Sequence, residues 1–259
     1  MPSDPYITAR DALIDGANLR VWSMIATVFG DLALQRGDVI EGPVLSTLMA
    51  EMRIRPEATR VALHRLREND GWIVSTKRGR LSQHRLSQKG RAESETAARR
   101  IYRAPQEDTG GWRLVLTESQ AMPSREEMAQ RGFVPLMPRI YVGAADQMAP
   151  KDTLCLDAQH APSWLGAQLE PKGLSQDYTL LHDRLGRAAG VLSEDPELTP
   201  LQTATLRRLI VHGWRRLVLR HPPLPAALYT PAWRGHDCQA LVFRLLASLP
   251  RPELSALHP

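Results

Sequence analysis

An α+β fold in three parts is predicted by three observations on the 259-residue sequence. Residues 19–69 place apolar side chains at helical spacing, and residues 71–86 then turn into two short strands around Lys77-Arg78-Gly79-Arg80. Residues 112–156 read as strands interrupted by one short helix. The final third reads as long helices separated by proline-bearing links. The expected parts are a winged helix-turn-helix with its connecting helix over residues 18–103, a linker over 104–111, a small ferredoxin-like α/β unit over 112–172, and a helical C-terminal unit over 173–259.

In chain order, residues 1–15 read as an arm, loose or docked elsewhere. Residues 19–34 form a helix with Val21, Ile25, Val28 and Leu32 on one face and Trp22 and Phe29 beside them. Residues 35–38 break it, and Val39-Ile40 makes a short strand. Pro43 opens a second helix, 44–52, with Val44, Leu45, Leu48 and Met49 inward. Residues 53–55 are a tight turn. A third helix covers 56–69, with Ile54, Ala58, Ala62 and Leu66 at helical spacing, Pro56 in its first turn and Gly71 after its end.

Trp72-Ile73-Val74 starts a strand, residues 77–80 turn it, and 81–86 return. Ser87 caps a polar helix over 88–103, in which Gly90 is an unfavourable residue near the start. Beyond the linker, strands are expected at 112–117, 139–142 and 153–156, with a helix at 123–131 and a turn at Gly132-Phe133. Three helices follow, at 178–190, 200–219 and 238–249.

Charge is concentrated where the short strands are. Residues 53–91 hold eleven Lys/Arg against three acids, whereas residues 104–259 hold sixteen of each. The whole net charge of +5 therefore belongs to residues 1–103, as in a basic reader on a neutral body. A basic helix followed by a basic-tipped hairpin suits double-stranded DNA: the helix enters the major groove and the tip reaches backbone or minor groove. Arg60, His64 and Arg67 fall at i, i+4 and i+7 on the third helix, away from its apolar positions, and are the candidates for base or phosphate contact. Arg55 stands at the turn before it. Arg55 and Arg65 are further candidates for DNA contact; Arg65 is nearer the core boundary, with pairing to Glu68 or Glu51 as the alternative. Lys77, Arg78 and Arg80 are the candidates for holding the hairpin on the phosphates.

Other function classes find little support. Cys155 and Cys238 match no zinc spacing and read as free or buried thiols of a reducing compartment. The first residues carry acids and prolines where a signal peptide needs an apolar core, and the longest apolar stretch, 21–29, is too short to span a bilayer, so a cytoplasmic protein without a membrane partner is expected. There is no GxGxxG, P-loop, HExxH or GxSxG. His212, His221 and His236, with Asp237 and Cys238, fit no metal motif. No catalytic residue, metal or cofactor is expected.

The chain resembles the PaaX-type transcriptional repressors. The resemblance lies in Arg60, Ala62-Leu63, Arg65-Leu66, Gly71-Trp72 and Leu86-Ser87-x-x-Gly90; in Trp112-Arg113-Leu114-Val115, Arg131-Gly132-Phe133 and Pro138-Arg139-Ile140-Tyr141-Val142; and in Arg215-Arg216-Leu217, His221-Pro222-x-Leu224-Pro225 and Leu228-x-x-Pro231-x-Trp233-x-Gly235. It covers roughly residues 19–250. The chain departs from the family pattern in having four residues, 67–70, between Leu66 and Gly71, one more than the pattern; in a segment, Glu118 to Arg131, that is short for the middle-domain helix; and in His221 where the family has Asp.

This resemblance implies a homodimeric repressor of a phenylacetate-type catabolic operon, released from its operator by an aryl-CoA thioester such as phenylacetyl-CoA. It also implies that the C-terminal part serves effector binding and dimerisation. Such an effector needs cations for its phosphates and an apolar slot for its acyl group. Arg207-Arg208 and Arg215-Arg216, with Trp214 and Trp233, are the residue types for it, and Trp214, Arg215, Arg216 and Trp233 are the named candidates. The second reading is a winged-helix regulator whose C-terminal body takes a protein partner or an unrelated effector.

Overall fold

A computed structural model describes residues 4–104, 111–118, 123–221 and 223–257. The expected linker at 104–111 lies mostly outside the described residues. Helix and strand are mixed, as an α+β reading requires. In order, the helices are α1 (Pro5–Ile14), α2 (Val21–Leu32), α3 (Gly42–Glu51), α4 (Pro56–Glu68), α5 (Gln88–Ile101), α6 (Arg125–Gln130), α7 (Ser163–Leu169), α8 (Leu174–Leu192), α9 (Pro200–Val218) and α10 (Gly235–Ser248). The strands are β1 (Ile40–Glu41), β2 (Ile73–Arg78), β3 (Leu81–Leu86), β4 (Trp112–Thr117), β5 (Val134–Met137), β6 (Ile140–Ala144) and β7 (Thr153–Ala158). None of the described helices is long and apolar enough to cross a membrane.

The chain divides into two compact units. One comprises Met1–Ala104, Leu180–Arg216 and Asp237–Pro259; the other comprises Pro105–Thr179 and Leu217–His236. This grouping differs from the three consecutive parts expected, and α2 is the reason. Nine of its residues, Ser23 to Phe29 with Asp31 and Leu32, are buried. A helix covered nearly all round needs neighbours on every side. It packs on α4 and α5, and its polar side chains Ser23, Thr27 and Asp31 meet Arg215, His212 and Arg207 of α9. The long C-terminal helices thus complete the core of the first unit.

Elements missed or underread include α1, β5 and α7. The N-terminal arm is helix α1, capped by the Asp4 carboxylate on the Tyr6 N–H at 2.9 Å. It is docked rather than loose: the Tyr6 hydroxyl donates to Glu51, and Arg53 Nη2 meets Asp11 at 2.7 Å. The second is β5, whose Pro135 removes one ladder donor and places the strand at an edge.

The second unit carries a four-stranded antiparallel sheet in the order β5-β6-β4-β7. Val115, Tyr141, Phe133 and Met128 fill one face. Trp112, Val142, Leu165 and Leu228 fill part of the other.

Candidate nucleic-acid interface

The basic surface is built on α3, α4 and the three-stranded sheet β1-β3-β2. Between α3 and α4 the chain reverses in three residues. Arg53 takes a left-handed conformation, φ 59°, its N–H bonds the Ala50 carbonyl at 2.8 Å, and the Ile54 N–H bonds Met49 at 2.9 Å. Such a position favours glycine. Here the guanidinium of Arg53 is held by Asp11, and Ile54 is buried.

Helix α4 buries Thr59, Ala62 and Leu66. Thr59 takes the place expected of Ala58, which is half-buried. Glu57 in its first turn and Arg65 and Arg67 in its last turn suit the helix dipole. Its end is closed by the Asn69 and Asp70 N–H groups on the Arg65 carbonyl, at 3.0 and 3.1 Å, and by Gly71 at φ 59°. The residues 67–70 that depart from the family pattern therefore complete the last turn.

The other face of α4 is open. Arg55, Arg60, Val61, His64, Arg65 and Arg67 are all exposed. Arg60 reaches Glu57 only at 3.5 Å with both side chains about three-quarters exposed, at 77% and 74%. Arg67 Nε donates to Glu68 at 2.6 Å, which holds that carboxyl below its usual range. Arg65 is corrected: it is solvent-facing and meets Asp70 at 3.7 Å, not Glu68 or Glu51. Val61, 71% exposed among cations, was not singled out because it falls outside the apolar spacing. An exposed aliphatic group at that place is suited to a thymine methyl.

The hairpin turns through two residues, Gly79 and Arg80, with Arg78 opposite Leu81 and Gly79 at φ 63°. Lys77, Arg78 and Arg80 are exposed at its tip. At its base, His84 is buried and shares a 2.8 Å hydrogen bond with Ser75 across the strands. Burial, with a smaller contribution from the Arg67 charge, lowers its pKa, so it is neutral at pH 7. The hairpin is tied to α4 by the Trp72 N–H on the Leu66 carbonyl at 2.7 Å. It is tied to α5 by Ser87, whose hydroxyl accepts from the Gly90 N–H at 3.0 Å and donates to the Gly71 carbonyl at 2.7 Å. Gly90, unfavourable by propensity, is required here: a Cβ would stand 2.2 Å from the Trp72 carbonyl oxygen.

The expected effector residues are engaged internally. Trp214 is buried and donates to the Ile101 carbonyl at 2.9 Å. Arg215 Nη1 donates to the Ser23 carbonyl at 3.1 Å, and Arg216 donates to the Asn18 carbonyl. Trp233, in the second unit, stacks on Tyr229 with ring centres 4.3 Å apart and meets His221 edge-on at 5.2 Å. His221 shares a 2.8 Å hydrogen bond with the Tyr178 hydroxyl. Arg207 and Arg208 are buried against Asp31, a carboxylate for which no periodicity gave a signal. Among the described residues no group of three His, Cys, Asp or Glu could hold a metal ion.

Residues 20–90 match the model of the PaaX-like protein family, and residues 170–254 match that of the PaaX-like protein C-terminal domain. The transcriptional repressor PaaX of Escherichia coli (strain K12) is 27% identical, over 86% of this chain and 78% of that protein. The structure of the uncharacterized protein Rv0674 from Mycobacterium tuberculosis superposes with a TM-score of 0.51 at 20% identity, over 90% of this chain and 96% of that one. That likeness is one of fold.

Proposed function

The chain belongs to the PaaX-like family of transcriptional regulators, and from that premise we propose that it is a DNA-binding repressor that acts as a homodimer. The observation that carries this reading is the joint exposure of α4 and the hairpin tip: cations on two rigid elements held to each other through Trp72. The order α2-β1-α3-α4-β2-β3 supports a winged helix-turn-helix. In this reading α3 and α4 are its helix pair, Arg53 to Arg55 its turn and β2–β3 its wing. Arg60, His64 and Arg67 lie along the major groove, Arg55 and Arg65 flank it on the backbone, and Lys77, Arg78 and Arg80 hold the wing on phosphate. The sheet order β5-β6-β4-β7, entered through β4-α6-β5, supports a ferredoxin-like second unit.

Two readers match two half-sites about one helical turn apart, which a homodimer supplies. The ligand class that releases the operator is an aryl-CoA thioester such as phenylacetyl-CoA, a reading supported by the family resemblance.

The test is fluorescence anisotropy of labelled duplex from the protein's own promoter, with a scrambled duplex as control. Tight binding to the promoter alone, released by a CoA thioester and not by free CoA, is the expected result. Equal weak binding to both duplexes at every salt concentration overturns the repressor. Specific binding that no thioester disturbs removes the ligand and keeps the repressor.

A further inference from the structure

Strand β7 lies at the edge of the second sheet, bonded on one side to β4. Its other side pairs with no strand among the described residues. Edge strands are normally guarded by proline, a bulge or inward charge. Here the centre of the strand is Leu154-Cys155-Leu156, all three exposed, with each leucine 56% exposed. Leu154 stands opposite Leu116 and Leu156 opposite Leu114, so both share one face with those half-buried leucines and with Ile140. The packing on that face centres on the Trp112 and Val142 end, where Leu165 and Leu228 cover it. An apolar strip thus runs out to an open edge.

We propose that β7 is the strand through which two copies of this chain pair, antiparallel about Cys155, into one continuous sheet. The proposal rests on the dimeric reading above and puts its interface on β7, not on the C-terminal part that the resemblance implies. A two-fold axis perpendicular to a sheet keeps each face on its own side, and residues directly opposite share a face. Self-pairing registers are therefore centred on a residue. Centring on Leu154 sets Leu156 against Asp152 of the second copy. Centring on Leu156 sets Leu154 against Ala158 and Asp157 against Cys155. Centring on Cys155 sets Leu154 against Leu156 of the second copy twice over, and Thr153 against Asp157.

That register also carries no opposed like charges. Lys151 meets Gln159 and Asp152 meets Ala158, while Asp157 is already neutralised by Arg113, at 2.5 and 2.8 Å. It is the pairing in which each exposed leucine meets a leucine of the second copy.

Cys155 then reports on the register. Opposed residues of an antiparallel pair have Cα atoms about 4.5–5.5 Å apart, which is within disulfide reach. The other cysteine, Cys238, is buried. The experiment is sedimentation velocity on the full chain over a range of concentrations, with copper-phenanthroline oxidation read on a non-reducing gel. The wild type is expected to be a dimer that oxidation converts to a covalent one. Cys155→Ser keeps the dimer and loses the cross-link. The double variant Leu154→Lys/Leu156→Lys weakens dimerisation by roughly a hundredfold or more, since two apolar side chains at the centre are replaced by facing charges. Its far-UV spectrum stays at that of the wild type, because both side chains are on the surface.

A dimer that survives the double variant, or a wild-type dimer that oxidation does not link, overturns this interface and leaves the dimeric reading in place. A wild-type chain that stays monomeric at all concentrations overturns both. Promoter binding by the same preparations is measured separately, so failure of the repressor reading shows there, as equal binding to scrambled DNA.

Discussion

Asp31 of α2 and Arg208 of α9, 2.5 Å apart with fully buried side chains, form the ionic centre of the first unit. Arg207 Nε donates to the same carboxylate at 3.0 Å, the Tyr102 hydroxyl at 2.5 Å and Arg251 at 3.3 Å. Burial alone would raise the Asp31 carboxyl, but the charges of Arg208 and Arg207 and the Tyr102 bond hold it below its usual value. Arg208 pays more heavily for burial, which brings its pKa down to about 10. Among the described residues its Nε and Nη2 have no hydrogen-bond partner.

The asymmetry predicts an order of stabilities. Asp31→Asn leaves two buried guanidiniums without their anion, a change that costs about 3–5 kcal/mol. Arg208→Met removes a cation that is poorly hydrogen-bonded and leaves Asp31 with Arg207 and Tyr102, so it costs less. Urea unfolding of the two variants checks this. A larger loss in Arg208→Met would mean that Arg208, not Asp31, organises the cluster.

The proposed DNA surface predicts two different signatures. Arg78→Ala at the hairpin tip should weaken binding to promoter and scrambled DNA alike and flatten the salt dependence by about one phosphate contact. Arg60→Ala should cost about 1–3 kcal/mol on the promoter alone, through lost base readout. Both side chains are exposed, so melting temperatures should not move. An unchanged salt slope in Arg78→Ala would remove the wing from the phosphates.

The elements between residues 56 and 101 were legible in the sequence because their signals are local. Pro56, Gly71, Gly79 and Ser87 each mark an element boundary by their own backbone chemistry, and the structure puts α4, β2, β3 and α5 between them. The partners of Asp31, Arg207, Arg215 and Trp214 were illegible. Each is bonded to a residue more than a hundred positions away, and no spacing rule encodes such a pairing. The arginines of α9 therefore read as a solvent-facing anion site when they are the polar seam of a core. Strand β5 was missed because it follows Gly132-Phe133 directly and carries Pro135, which reads as a loop.

Gly90 and Gly186 should respond oppositely to the same substitution. Replacing a helical glycine by alanine normally stabilises by roughly 0.5–1 kcal/mol. Around Gly186 of α8 nothing lies within 4 Å of the new Cβ, so Gly186→Ala should gain that amount. At Gly90 the Cβ would meet the Trp72 backbone carbonyl at 2.2 Å. That carbonyl accepts from the Ser87 N–H and cannot swing aside without breaking the bond. Overpacking of about 1–3 kcal/mol then outweighs the gain. Thermal melts of the two variants should move in opposite directions, and a stabilised Gly90→Ala would show that α5 is free to shift away from the β2–β3 hairpin.

His212 makes the fold sensitive to mild acid. It is 1% exposed on α9, with Nδ1 3.2 Å from the Thr27 hydroxyl of α2. Burial, then the charges of Arg215 and Arg216, lower its pKa from 6.5 to about 3. The unfolded chain therefore takes up a proton on this imidazole near pH 6.5, and the folded chain does not until about pH 3. Above pH 6.5 the contribution is constant; as pH falls from 6.5 toward 3, stability is lost by up to about 1.4 kcal/mol per pH unit. Between pH 7 and pH 5 the loss from this residue should be about 2 kcal/mol. Asp31, with its lowered pKa, adds its own loss only near and below the ordinary carboxylate value of 3.8, so this window isolates histidine. His84 is lowered too and contributes in the same direction, which is why the comparison must be with a variant. His212→Gln keeps a polar group for Thr27 and cannot titrate. Its unfolding free energy should fall between pH 7 and pH 5 by about 2 kcal/mol less than that of the wild type. Equal losses in the two proteins would mean that the imidazole is protonated in the folded state, and that the α2–α9 seam carries one more cation than its geometry accommodates.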